Sequence, residues 1–212
     1  MVNEDNVLVL NGERVFPIGF TMPPPFDGKT PEGKHALREL ADAGGTFMRT
    51  GASGGDWTPA TLEREQQWMD AAAQHGMYCW PFLRELASIG PKDTQREVLL
   101  REVINRFKDH PGLLVWKGED EPEWGKRPIA PLVRAREIIR ELDPNHPLVI
   151  IQAPRGTVET LRPYNVAGDI TGADIYPISY PPGTHSLLTN KSLSLVGDYT
   201  RTMAEVVEGR KP

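Results

Sequence analysis

The chain has 212 residues, a net charge of -5, 39% hydrophobic and 25% charged residues, and one cysteine, Cys79. That length suits one large domain or two small ones with a real core. A mildly acidic chain without a basic block argues against a nucleic-acid partner, and a single cysteine excludes an internal disulfide or a cysteine-based zinc site.

The N-terminal run MVNEDNVLVL is acidic, and its apolar part is too short for a signal peptide. No stretch approaches the roughly 18 apolar residues of a membrane span, so no membrane partner is expected. The compartment is left open. The 20 Pro and 20 Gly sit between periodic segments, as punctuation for many short elements.

In chain order, VLVLNGERVFPIGF alternates around Asn11-Gly12, a strong hairpin signal, and its second arm runs into a first strand. Thr30-Pro31 reads as the start of a helix carrying Ala36, Leu37, Leu40 and Ala41, closed by Gly44-Gly45. GTFMRTG is a second strand. Thr58-Pro59 opens a helix with Leu62, Met69 and Ala73. MYCWPFL is a third strand, followed by a helix from about Asp93 with Leu99, Leu100, Val103, Ile104 and Phe107. LLVWKG is a fourth strand, and Pro131 opens a helix that ends at Asp143-Pro144. PLVIIQAP, a short helix over Thr157 to Leu161, the strand DITGADIYPI and a helix with Val196, Tyr199, Met203 and Val206 complete the series.

Six βα units at about 30 to 36 residues each predict one α/β domain over residues 1–212, with a parallel sheet covered by helices. Two architectures fit: an open doubly wound sheet and a (β/α)8 barrel. No glycine-rich phosphate fingerprint follows the first strand, which weakens the dinucleotide-binding form. The leading hairpin would plug the bottom of a barrel. A barrel needs eight strands, so six units would make either an incomplete TIM-type barrel or one of unusual strand count; the incomplete form would have open edges on its first and sixth strands that favour self-association.

Ligands of such folds bind beyond the carboxyl ends of the strands. Those ends carry Arg49 and Thr50, then Arg84 and Glu85, then Glu119, Asp120 and Glu121, then Gln152, then Asp174 and Tyr176. Converged, they would line a cleft with acids, an arginine, amides and aromatics, which suits a carbohydrate ligand. Trp124, in the loop after the fourth strand, is a candidate stacking platform for a sugar ring, whereas Trp80 and Trp116 lie on strands and read as core. Glu123 reads as an ordinary solvated acid. His75 ends a helix, where its charge would suit the dipole. His35 and His185 have no partner at ligand spacing, and no cofactor or metal motif is present.

The run HPGLLVWKGEDEPEW resembles the fourth-strand region of the clan A glycoside hydrolases of the family 2, family 5 and family 42 type, which are retaining (β/α)8 barrels. Their fourth strand ends in an Asn-Glu pair, often followed by Pro, and that Glu is the general acid/base. Glu121 before Pro122 matches the Glu. Asp120 stands where the Asn would be, which leaves the hydroxyl contact made by that Asn to a carboxylate. NGERVFPIGF is similar to the opening hairpin and first strand of the group, Arg49 to its second-strand Arg, and Tyr176 to its sixth-strand Tyr.

The resemblance implies retaining hydrolysis of a β-linked glycoside. Glu121 would be the acid/base, Asp120, Arg49, Asp174, Tyr176 and Trp124 would contact substrate, and no cofactor or metal would be used. The alternative is a non-catalytic carbohydrate-binding barrel. The group's nucleophile is a second Glu after a seventh strand, beyond the six strands read here, and a chain without it would hydrolyse poorly. Two expectations concern Glu121 itself. Pro122 biases it toward an extended conformation, and along an extended strand Glu119, not Asp120, shares its side.

Overall fold

The computed structural model describes residues 2–52, 56–153, 155–178, 189 and 192–210. Strands β1 (Val9–Leu10) and β2 (Glu13–Arg14) form an antiparallel hairpin. Its turn residues Asn11 and Gly12 have φ of 51° and 86°, the pair of left-handed conformations that a two-residue Asn-Gly turn requires.

Six parallel strands follow: β3 (Gly19–Phe20), β4 (Phe47–Gly51), β5 (Tyr78–Phe82), β6 (Trp116–Asp120), β7 (Leu148–Gln152) and β8 (Ile170–Ala173). They pair strictly in chain order. A doubly wound sheet would reverse its order at a switch point. Sequential order instead curls the sheet one way, into half of a (β/α)8-type barrel. Among the described residues β3 and β8 are its open edges, and Phe16, Ile18 and Met22 stand exposed along the first of them.

Helices α1 (Ala36–Asp42), α2 (Pro59–Gln74), α3 (Thr94–Phe107), α4 (Ile129–Leu142), α5 (Val158–Leu161) and α6 (Leu195–Val207) lie between and after the strands. Alternation along each strand divides two apolar layers. Met48, Cys79, Trp116 and Leu148 face the helices and pack with Leu62, Met69, Leu100, Phe107 and Ile139. Phe47, Tyr78, Trp80, Val115, Val149, Ile151 and Ile170 face the inside of the curl. There Leu8, Leu10 and Val15 of the hairpin region pack against them, and Asn11 Nδ2 donates to the Tyr78 hydroxyl. The hairpin thus closes the amino ends of the strands, as a plug.

Local start signals differ in reliability. Thr58 accepts from the Thr61 amide, with Pro59 in the first helical turn, as read from the sequence. Thr157 and Thr160 form a reciprocal capping box. Thr30-Pro31 does not start α1. Gly33, at φ 83°, turns the chain so that the Thr30 amide bonds to Lys34, and His35 becomes the cap, its Nδ1 accepting from the Leu37 amide. His35 and His75 then stack, with ring centroids 3.9 Å apart. Burial first, then His35, holds the His75 imidazole below its usual range, so the expected charged residue at the end of α2 is disfavoured. His185 lies outside the described residues.

Candidate active site

The amino ends of the strands are plugged, so the open face is the carboxyl-end face. The end of β4 is built around a buried acid. Glu65 of α2 is fully buried and receives the Thr50 hydroxyl at 2.5 Å and the Gly51 amide at 2.6 Å. Burial pushes this carboxyl up to about 7, against the pull of both hydrogen bonds. Gly51 has φ 88°, and a Cβ there would stand 2.4 Å from the Phe82 amide nitrogen, so only glycine fits. This clamp sets the strand from which Arg49 projects inward, its guanidinium carbon 5.6 Å from the centroid of Phe82. Arg49 Nε and Trp80 Nε1 are buried donors without a hydrogen-bond partner among the described residues.

Strand β6 shifts register between Lys117 and Asp120, where its pairing with β7 skips a residue. Such a bulge re-aims side chains. Lys117 and Asp120 end up on the same side, their charged groups 2.7 Å apart. Glu119 is turned elsewhere, 3.9 Å from Arg127. It lines a separate cleft of about 450 Å³ with Phe82, Arg84, Glu85, Arg96 and Arg127. The expectation that Glu119 shares a side with Glu121 is therefore corrected by the bulge.

The extended conformation expected for Glu121 is corrected too. Its φ is 48°, in the left-handed region. Two hydrogen bonds hold it there. Its amide donates to the Ile151 carbonyl of β7 at 2.7 Å, and its carbonyl accepts the Gly125 amide at 2.9 Å. Pro122 then opens a tight turn over 122–127 rather than extending the strand. Arg84 (φ 52°) and Lys126 (φ 51°) are also left-handed, so three non-glycine residues of the loops after β5 and β6 carry this strain. Each costs on the order of 1–3 kcal/mol, which persists only where surrounding bonds over-determine it.

Charge places the other residues around Glu121. Burial pushes its carboxyl up, and Asp174 and then Asp120 push it further, opposed by Arg155 and Lys117. Asp174, just past β8, is pushed up by burial and by Asp120, with Lys117 and Arg49 opposing. The Tyr176 hydroxyl lies 3.5 Å from Asp174, which raises the phenol. Trp124 is 53% exposed on the rim, with the Arg155 guanidinium 4.9 Å from its ring centroid. Arg49, Asp120, Glu121, Asp174, Tyr176 and Trp124 thus all lie at the carboxyl-end face, and the first five are linked through their mutual charges.

Besides Thr50, which is bonded to Glu65, and Arg84 and Glu119, which line the second cleft, two further residues expected there lie elsewhere. Gln152 is fully buried on the helix side of β7, its amide donating to the Leu161 carbonyl. Glu85 is in the short turn Arg84–Ala87 and faces the second cleft. Glu123 is nearly buried and pairs with Lys126 at 3.1 Å, so it is not the solvated acid it resembles in sequence. Sequence reasoning missed Lys117 and Arg155. A lysine inside an apolar strand was the available signal for Lys117; Arg155 carried none. Among the described residues no group of three or more His, Cys, Asp or Glu side chains is arranged to hold a metal ion.

A half-barrel of sequential parallel strands, plugged below and acidic above, has the architecture of an incomplete TIM barrel. No protein-family model and no curated protein matches the chain. Solved structures do match it, glycoside hydrolases among them. The β-glucuronidase 2 of Bacteroides uniformis, covalently bound to cyclophellitol-6-carboxylate aziridine, aligns at TM-score 0.62 and 15% identity over 98% of this chain and 25% of that one. The FMN-binding β-glucuronidase of Facaelibacterium prausnitzii L2-6 aligns at 0.60 and 16%, over 99% of this chain and 31% of that one. The β-mannanase of the blue mussel Mytilus edulis aligns at 0.51 and 12%, over 82% and 73%. At such identity the likeness is one of fold. The chain spans between a quarter and a third of the length of the two β-glucuronidases.

Proposed function

We propose that this face binds a β-linked glycoside and that Glu121 protonates the departing glycosidic oxygen. The observation that carries the reading is the placing of Glu121, half-buried beside Asp174 and Asp120 at the open end of a glycosidase-like half-barrel, where burial and those two acids push its carboxyl up. A general acid works best when its pKa approaches the working pH, and burial with neighbouring carboxylates is how a Glu reaches it. Asp120 and Arg49 contact ring hydroxyls, and Trp124 with Tyr176 covers the apolar face of a sugar. Retaining hydrolysis also needs a second carboxyl about 5 to 5.5 Å from the acid. Among the described residues Asp174 is the carboxylate whose charge acts most strongly on Glu121.

A second reading, binding without hydrolysis, is favoured by one feature. Asp174 is itself pushed up, so it competes with Glu121 for a proton instead of standing by as a free anion. One experiment divides the two: aryl β-glycosides and β-linked disaccharides are incubated with the protein and followed by NMR. Release of the aglycone supports hydrolysis. Saturable shifts at Trp124 and Tyr176 without release support the second reading, and neither response contradicts both.

A further inference from the structure

The proposed chemistry employs Glu121, Asp120 and Asp174 but leaves unused the cation beneath them. Lys117 stands on the inner side of β6 with its side chain 3% exposed. Its Nζ is 2.7 Å from Asp120 Oδ1, 4.3 Å from the Phe82 ring centroid and 5.9 Å from that of Trp80. Desolvating an ammonium costs several kcal/mol, and an apolar residue of similar volume often serves stability equally well. Packing therefore gives no reason for a lysine at this place.

The charged groups facing it do. Asp120 and Glu121 face it from β6 and its turn, Asp174 from beyond β8, and Arg49 from β4, while Glu119, turned to Arg127, still feels its charge. The two rings flank the ammonium itself, which lies inside the curl and out of solvent. In that poorly screened interior a fixed charge acts on groups it does not touch. Lys117 opposes the upward push on Glu119, Glu121 and Asp174 together.

We propose that Lys117 is a positioning residue of the candidate active site: its buried ammonium fixes the Asp120 carboxylate and, with Arg155 and Arg49, supplies the counter-charge to Glu121 and Asp174. The proposal rests on the reading of Glu121 as the site acid and adds to it a residue that touches no substrate.

The test needs no substrate. The side-chain carboxyl carbons of Glu121 and Asp174 are followed by NMR across a pH titration in the protein, in Lys117→Met and in Lys117→Arg. Met is expected to move both midpoints upward, and Arg, which keeps the charge, to restore them. Unmoved midpoints in a folded Lys117→Met protein would overturn the proposal. Should that variant not fold, the unsubstituted protein decides: the Lys117 ammonium nitrogen is expected to shift in step with both carboxyls, and a flat response would overturn it. A failure to cleave glycosides would instead count against the proposed function and leave this titration to its own result.

Discussion

The Glu65 carboxylate receives the Gly51 amide at 2.6 Å, so helix α2 holds the end of β4 through a buried acid. Because burial raises this carboxyl from 4.5 to about 7 in the fold, the native state binds the extra proton between those values. The contribution is complete below about pH 4.5 and is lost as pH rises through about 7. It amounts to about 3 kcal/mol. Urea unfolding at pH 5 and pH 8 is expected to show that loss, and Glu65→Gln, which can keep both hydrogen bonds, is expected to flatten it. An equally steep profile in the variant would contradict the role of Glu65.

Gly51→Ala tests the same clamp from the other side. The new Cβ would meet the Phe82 backbone at 2.4 Å, on a residue already at φ 88°. A loss of at least about 2 kcal/mol is expected from the conformation alone, read as a lowered urea midpoint. A midpoint near the starting value would mean that β4 and β5 can separate there.

Glu121→Gly separates strain from function. Glycine accepts φ 48° without a Cβ penalty, so the variant is expected to gain about 1 kcal/mol of stability while losing the site acid. A destabilised variant would show that the Glu121 side chain contributes more to the fold than its backbone costs.

Trp116→Phe removes a donor at the core. Trp116 is fully buried, and its indole N–H donates to the buried Asp143 carboxylate at 2.8 Å. The Phe variant leaves that acceptor short of one partner, at a cost of about 1–3 kcal/mol. His146, which also contacts Asp143, limits the loss. Thermal unfolding reads the difference; an unchanged midpoint would show that His146 compensates in full.

The half-barrel was legible in the sequence because period and punctuation agreed. Short apolar runs alternating with amphipathic helices announced parallel strands, and Asn11-Gly12 announced the hairpin. The strand order bore out the expected barrel form over the doubly wound one. What stayed illegible were backbone departures with no composition of their own. The bulge in β6 and the left-handed Glu121 rest on hydrogen bonds to β7, some 30 residues away in the chain. Thus the acids of GEDEPEW were identified as a group, but their directions were not. Glu119 went to Arg127 and Glu123 to Lys126, whereas Asp120, paired with Lys117, and Glu121 both couple to Asp174. Likewise Thr30-Pro31 carried a helix-start signal that Gly33 overrode three residues before α1 begins at Ala36.

The central claim is that Glu121 delivers the proton to a glycosidic oxygen. Its most direct test compares initial rates of the protein and Glu121→Gln on two β-glycosides of one sugar, an alkyl glycoside and a dinitrophenyl glycoside. Protonation by a positioned acid is worth about 10²- to 10⁴-fold. The account predicts a loss of that order on the alkyl glycoside and a far smaller one on the dinitrophenyl glycoside, whose leaving group departs without a proton. Equal rates for the two proteins on the alkyl glycoside would contradict it.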